Sequence, residues 1–264
     1  MKFTEIFKKS WKDYKENFKA IFTFMFFFNL LPLIIIYGIQ WIWAFFDKDV
    51  LIIILNPALQ SRGLIHNIPF FISNIILGII SLFISFFVYA GFTSAPLKKA
   101  KFKFKDLTSE GSSFYLKYLG FTVVMMIFLL GLFILLIIPG IIFLIYWIFG
   151  IYVYYEEKNG IRKSLRGSRE LVKGRWWRIF GYFILIILIL SLIQLLGGLI
   201  SLPTTTYILT LNLNGVAAPV SVSIINNLLY ILSTFLVQLI NLPLFFLFFK
   251  NLYIELKKEK KFIK

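Results

Sequence analysis

The hydrophobic residues of this chain are gathered in four long stretches without a charged side chain. The stretches cover residues 20–46, 63–97, 118–155 and 179–249, and they are 27, 35, 38 and 71 residues long. A membrane-spanning α-helix needs about 20 apolar residues to cross a hydrocarbon layer about 30 Å thick. A soluble core has no place for continuous apolar chain of this length. The pattern therefore predicts an all-α, polytopic integral membrane protein.

Breaks inside the stretches divide them into six predicted transmembrane helices. Pro139 and Gly140 interrupt the third stretch, because proline fixes the backbone and glycine permits a tight turn. Pro203, followed by three threonines, interrupts the fourth stretch. We expect a single membrane domain over residues 1–264. Its predicted helices cover residues 20–46, 69–95, 118–138, 141–155, 179–202 and 224–249.

The basic residues predict the orientation of these helices. Of the 28 Lys and Arg residues, 26 lie in the N-terminal segment, in the loops after the second and fourth helices, and in the tail of residues 250–264. Lys48 and Arg62 are the two that lie in the alternate loops. Because cytoplasmic loops carry an excess of Lys and Arg, we expect both termini in the cytoplasm.

Two segments, residues 1–18 and 160–178, combine a basic face with an apolar one. Such a helix lies in the headgroup plane of a bilayer. Anionic lipids attract it by about 1 kcal/mol for each basic residue near the surface. We expect the second segment to contact anionic lipid through Arg162, Lys163, Arg166, Arg169, Lys173, Arg175, Trp176, Trp177 and Arg178.

The external loop of residues 204–223 alternates between apolar and polar residues on both sides of Asn214 and Gly215. Alternation around an Asn-Gly pair is typical of a short β-hairpin. Pro219 restricts the second strand to an edge, because proline cannot donate a ladder hydrogen bond. The sequence thus leaves two alternatives, a small external hairpin or an irregular loop.

Composition excludes most catalytic chemistry. The chain is 59% hydrophobic and 15% charged, and it contains no cysteine, which removes disulfides, cysteine-ligated metals and thiol nucleophiles. The predicted helices contain no Asp, Glu, Lys or Arg, and the single histidine, His66, has too few neighbours for a metal site. We therefore expect no enzyme, cofactor or metal. We also expect no nucleic-acid partner, because the basic residues follow the membrane edges.

Uncharged polar residues and prolines interrupt several predicted helices. Polar groups inside a membrane either bond to neighbouring helices or line a substrate cavity where a helix is broken. The sequence does not decide between packing kinks and a cavity. The residues in question are Asn29, Pro32, Gln194, Gln238, Asn241 and Pro243.

One stretch of the chain resembles a known family. Pro139-Gly140 is followed by a short predicted helix and then by Ser168-x-Glu170-Leu171-x-Lys173-Gly174-Arg175-Trp176-Trp177. This order resembles the membrane domain attached to some glycerophosphodiester phosphodiesterases, and related uncharacterised six-helix prokaryotic membrane proteins. The resemblance implies a six-span helical fold with both termini inside. It implies no phosphodiesterase activity, because the catalytic domain with its acidic and histidine metal ligands is not found in these residues.

These observations favour a non-enzymatic, multi-pass accessory or scaffold protein that binds anionic lipid at its cytoplasmic edge. The alternative is a transporter or flippase for a lipid-like or amphipathic small molecule. The absence of any Asn-x-Ser/Thr acceptor is consistent with the cytoplasmic membrane of a prokaryote. Its partners are expected to be membrane lipids, and the sequence identifies no partner protein.

Overall fold

The structure, a computed structural model, is α-helical almost throughout. It describes residues 2–47, 50–51, 68–158, 160–214, 216 and 219–262, and these contain no β-strand. His66 lies outside the described residues. The helices are α1 (Phe3–Glu16), α2 (Phe18–Met25), a π-helical turn (Phe26–Leu30), α3 (Leu31–Phe46), α4 (Ile68–Lys98), α5 (Phe104–Leu135), α6 (Ile137–Trp147), α7 (Gly150–Glu157), α8 (Ile161–Val172), α9 (Trp176–Gly198), α10 (Leu202–Leu213) and α11 (Val220–Phe262).

Six helical segments of the described chain are long and apolar enough to cross a membrane, as predicted. These segments expose large apolar side chains: Ile134 is 83% exposed and Leu135 is 77% exposed. Exposure of this kind is expected where lipid, rather than water, surrounds the helix. The chain is therefore a multi-pass membrane protein. The six segments are Phe18–Phe46, Ile68–Lys98, Phe104–Leu135, Ile137–Glu157, Trp176–Gly198 and Val220–Lys260.

The third helix begins much earlier than residue 118, where it was predicted to start. α5 includes the preceding polar loop, because Asp106 Oδ2 accepts a hydrogen bond from the Lys103 backbone N–H at 2.8 Å. This contact satisfies a donor at the start of the helix. The sixth helix also extends beyond its prediction, since α11 continues through the basic tail to Phe262.

The turn between the third and fourth helices lies at Leu136 rather than at Pro139 and Gly140. Leu136 has an extended backbone, and Pro139 falls in the first turn of α6, where its missing N–H costs no helical hydrogen bond. Gly140 allows a close contact, because a Cβ atom there would lie 2.6 Å from the Phe133 ring. The prediction placed the break three residues too late.

The predicted hairpin and the predicted irregular loop of residues 204–223 are both wrong for the described residues. α10 occupies much of this range, and α11 begins at Val220. The hydroxyls of Thr205 and Thr206 donate to the carbonyls of Ser201 and Leu202 at 2.8 and 2.9 Å. Threonine therefore fits the helix by bonding one turn back. Gly215 lies outside the described residues.

Residues 160–178 do not form one helix. α8 ends at Val172, and Gly174 has a φ of +79° in the turn that precedes Trp176, the first residue of α9. Glycine adopts this left-handed conformation without a steric cost. The basic segment is therefore divided into a helix, a turn and the start of the next helix.

The chain forms two compact units. Unit 1 comprises Met1–Phe24, Phe86–Leu190 and Asn241–Lys264, and unit 2 comprises Met25–Ser85 and Ser191–Ile240. The single membrane domain expected over the whole chain stays a prediction. The best-buried apolar residues of unit 1 include Ile145, Phe149, Ile179, Phe248 and Leu252, and those of unit 2 include Ala44, Val50 and Phe70.

Within unit 1, the backbones of α4 and α5 approach closely at two glycines. A Cβ atom on Gly111 would lie 3.2 Å from the Cα atom of Gly91. A Cβ atom on Gly91 would lie 3.0 Å from the Leu107 carbonyl oxygen. Small residues at helix contacts permit this approach, and a side chain could not be accommodated by a rotamer change, because the obstacle is backbone.

A buried polar network joins α1 to α11 in unit 1. Lys250 is 5% exposed, and its Nζ lies 2.8 Å from Asp13 Oδ2. The Asn251 side-chain amide donates to the same oxygen and to Ser10 Oγ, each at 3.0 Å. Ile6 and Ser10, on the buried face of α1, are at most 1% exposed. This face of α1 therefore packs on protein, and its predicted place in the headgroup plane stays a prediction.

Candidate functional site

One hydroxyl group of α8, that of Ser168, bonds to the backbone between α6 and α7. α6 and α7 are separated by a short break, where backbone groups lose their helical partners. Ser168 Oγ accepts a hydrogen bond from the Phe149 backbone N–H at 3.2 Å and donates one to the Tyr146 carbonyl at 2.7 Å. Gly167 allows α8 to approach α7 closely, because a Cβ atom there would lie 3.1 Å from the Val153 side chain. One face of α8 is thus attached to the break.

The opposite face of α8 presents its cations to the surroundings. Arg162, Lys163, Arg166 and Arg169 are all exposed. Glu170 of the same helix forms an ion pair with Lys260 of α11, with 2.7 Å between its Oε2 and the Lys260 Nζ. In the part of the chain that the structure describes, none of the four cations takes part in an ion pair. Their charge is therefore available to an anion.

A cleft of about 470 Å³ lies between α5, α6 and α8. Aromatic rings form one wall: the Trp147 ring lies 5.0 Å from that of Phe143 and 6.3 Å from that of Phe128, measured between centroids. Three arginines of α8 form the other side. The described lining consists of Val124, Phe128, Phe143, Trp147, Ile161, Arg162, Leu165, Arg166 and Arg169.

The arginines reach the cleft because of their helical spacing. Arg162, Arg166 and Arg169 are four and three residues apart, which places them on one face of α8. The Arg169 guanidinium carbon also lies 5.6 Å from the centroid of the Tyr146 ring, a distance typical of a cation–π contact. The cleft thus combines a cationic edge with an apolar interior.

Other residues of the predicted lipid site serve structural contacts. Arg175 Nε and an Arg178 Nη atom lie 3.3 and 2.8 Å from Glu259 Oε2. Trp176 Nε1 donates to the Ile142 carbonyl at 3.2 Å. The three side chains that the sequence predicts to contact lipid therefore contact protein instead.

The last two predicted residues remain exposed. Lys173 lies in the turn after α8, and the Trp177 side chain is 78% exposed. An exposed tryptophan suits a membrane interface, where one part of the indole is apolar and the other is wet.

In unit 2, two of the predicted polar residues meet. Asn29 lies in the π-helical turn, and its side-chain amide donates to Gln238 Oε1. Pro32 follows at the start of α3, directly after the π-helical turn. Gln194 is exposed. The contact between Asn29 and Gln238 joins two helices, which supports packing as their role.

Asn241 and Pro243 belong to unit 1. The Asn241 side-chain amide donates to the Leu190 carbonyl of α9 at 3.0 Å, and Pro243 lies inside α11. The Asn241 Oδ1 atom is buried without a hydrogen-bond partner among the described residues. The donated bond again favours interhelical packing.

Sequence reasoning missed the aromatic half of the cleft. Phe128 and Phe143 lie in apolar stretches whose lipid-facing and cleft-facing residues have the same character, and Trp147 is an ordinary candidate for a membrane interface. No spacing rule joins them to residues on α8. The basic stripe of α8 was the one signal present in the sequence.

Comparison with known proteins adds no assignment. No family model, no curated protein and no solved structure matches the chain. Across the described ranges, no three His, Asp or Glu side chains come together as they would to hold a metal ion.

Proposed function

We propose that this protein is a non-catalytic membrane protein that binds anionic lipid headgroups through α8 and acts as an accessory or scaffold protein. The observation that carries the proposal is the exposed set of Arg162, Lys163, Arg166 and Arg169 on a helix whose other face is fixed to the protein. Anionic headgroups compensate such charges at a membrane surface.

The location follows from the same charges. We propose that α8 lies at the cytoplasmic surface of the cell membrane, with both termini on that side, because 26 of the 28 basic residues fall in the corresponding segments. The absence of any Asn-x-Ser/Thr acceptor supports a prokaryotic membrane. The resemblance of residues 138–178 to the phosphodiesterase-linked membrane domain stays a prediction and adds no activity to this proposal.

The proposal is tested by the lipid that remains bound after purification in mild detergent. The triple variant R162E/R166E/R169E reverses the exposed charges of α8. We expect it to retain less phosphatidylglycerol and cardiolipin per chain than the wild type, with zwitterionic lipid unchanged.

The matched control is K8E/K12E/K15E, which changes the net charge equally on α1, where these three lysines are exposed. We expect it to retain more acidic lipid than the α8 variant. Equal acidic-lipid content in the wild type and the α8 variant would contradict the proposal.

A further inference from the structure

We propose that the cleft between α5, α6 and α8 binds one anionic glycerophospholipid, with its phosphate at Arg162, Arg166 and Arg169 and an acyl chain along the aromatic wall. This inference rests on the proposed function, and it adds a defined site to a general attraction. All the residues concerned belong to unit 1.

Arginine is concentrated at this cleft. The chain contains 22 lysines and six arginines, and three of the six line this cleft. Arginine presents a planar fork of donors that matches phosphate oxygens in pairs, whereas lysine acts as a point charge. Two further arginines, Arg175 and Arg178, meet the carboxylate of Glu259. Arginine thus holds an oxyanion at the neighbouring contact with Glu259.

The size and polarity of the cleft suit a lipid. Its volume of about 470 Å³ falls within the range of about 300–1,000 Å³ that is typical of ligand sites. Phe128, Phe143 and Trp147 offer an apolar surface, and no carboxylate belongs to its described lining. A ligand that satisfies both sides needs an anion joined to a hydrocarbon chain.

The chemistry selects a phospholipid over a free phosphate. A soluble anion would use the arginines and leave the aromatic rings without a partner. A neutral lipid would use the rings and leave three exposed cations without a counter-charge. A membrane phospholipid with a net negative headgroup supplies both the anion and the hydrocarbon chain. Such lipids surround a multi-pass membrane protein.

The experiment measures binding at the cleft by quenching of tryptophan fluorescence. Phosphatidylglycerol with brominated acyl chains is titrated into the purified protein, and brominated phosphatidylcholine serves as the neutral probe. The difference between the wild type and W147F isolates the signal of Trp147. The triple variant R162Q/R166Q/R169Q removes the charges of the cleft, and K101Q/K105Q/K117Q removes three exposed cations of unit 1 that do not line it.

We expect bromine quenching of Trp147 to favour phosphatidylglycerol and to saturate at one lipid per chain. The arginine variant should bind about 100-fold more weakly, which is the effect of about three basic contacts near an anionic lipid. The lysine variant should stay within about threefold of the wild type. V124F, which fills the cleft and keeps every charge, should also lose the quenching, and equal melting temperatures would show that these variants fold.

Three results would overturn the inference. An equal loss in the arginine and lysine variants would mean diffuse attraction, which leaves the proposed function intact. Equal quenching by the two brominated lipids would remove the anionic site. Full competition by glycerol phosphate would identify a soluble anion as the ligand. Loss of acidic-lipid retention as a whole is measured separately, in the detergent-purified protein.

Discussion

The buried ion pair between α1 and α11 gives the sharpest stability prediction. Asp13→Asn keeps the size of the side chain and removes its charge. Lys250, with a side chain 6% exposed, then has no counter-charge at the oxygen that lies 2.8 Å from its Nζ. Asn251 also loses a charged acceptor at 3.0 Å. Breaking one partner of a buried pair costs about 3–5 kcal/mol, so we expect a loss of this size.

The matched control lies on the same helix. Glu16 faces Lys12 at 3.8 Å, with side chains 37% and 75% exposed, and an exposed pair of this kind contributes about 0–1 kcal/mol. In a chain of this size, 1 kcal/mol changes the melting temperature by about 2–4 °C. Thermal unfolding in detergent should therefore show a decrease of about 6–20 °C for D13N and less than about 4 °C for E16Q.

A second variant separates charge from packing. D13N/K250M removes both charges, and replacement of a whole buried pair is often close to neutral. We expect the double variant to melt well above D13N. The reasoning is refuted if D13N melts within about 2 °C of the wild type, or if the double variant melts below D13N.

Three further predictions concern packing and topology. Gly111→Ala should destabilise the protein by about 1–3 kcal/mol, because its new methyl group meets backbone; Gly120→Ala, with open space around it, should be neutral or stabilising in the same unfolding assay. Ser168→Ala should cost about 1–3 kcal/mol, since two backbone groups at the α6–α7 break lose their partner. In intact cells, a membrane-impermeant thiol reagent should label Asn214→Cys and leave Lys105→Cys unreacted; the reverse pattern would contradict the proposed orientation.

The number of membrane spans could be predicted because it depends on the lengths of the charge-free stretches and on the number of breaks inside them. A helix that faces lipid needs an uncharged apolar surface along its whole length, and four charge-free stretches of the required size are visible in the sequence. The ends of the helices depend on more local contacts. The side chain of Asp106 extends α5 into a polar loop, and nothing in the hydrophobic pattern reports such a cap.

Turn positions were predicted less well because proline and threonine each have two uses. The sequence pattern predicts a helix end at Pro139, yet this proline stands in the first turn of the next helix, which is equally compatible with its fixed φ. The sequence pattern predicts a loop at Thr205 and Thr206, yet their hydroxyls donate to carbonyls one turn back, at Ser201 and Leu202. Which use applies is decided by neighbouring residues and not by the residue itself.

The sequence predicts the basic side of the cleft and not its aromatic side. Helical spacing placed Arg162, Arg166 and Arg169 on one face, and the structure keeps them there. The cleft that they border also needs Phe143 and Trp147 from another helix, and this pairing depends on the break at which Ser168 attaches α8. A hydrogen bond between a side chain and a backbone group 22 residues away leaves no periodic signal in the sequence.

The two kinds of basic residue serve different physical tasks in this chain. Orientation in a membrane depends on the number of positive charges on each side, and lysine satisfies it with a mobile, hydrated ammonium group. Recognition of a phosphate or a carboxylate depends on the geometry of the donors, which arginine fixes. Five of the six arginines lie between residues 162 and 178, where three line the cleft and two meet Glu259. The segment that the charge count predicts to be cytoplasmic is thus also the one in which the arginines are concentrated.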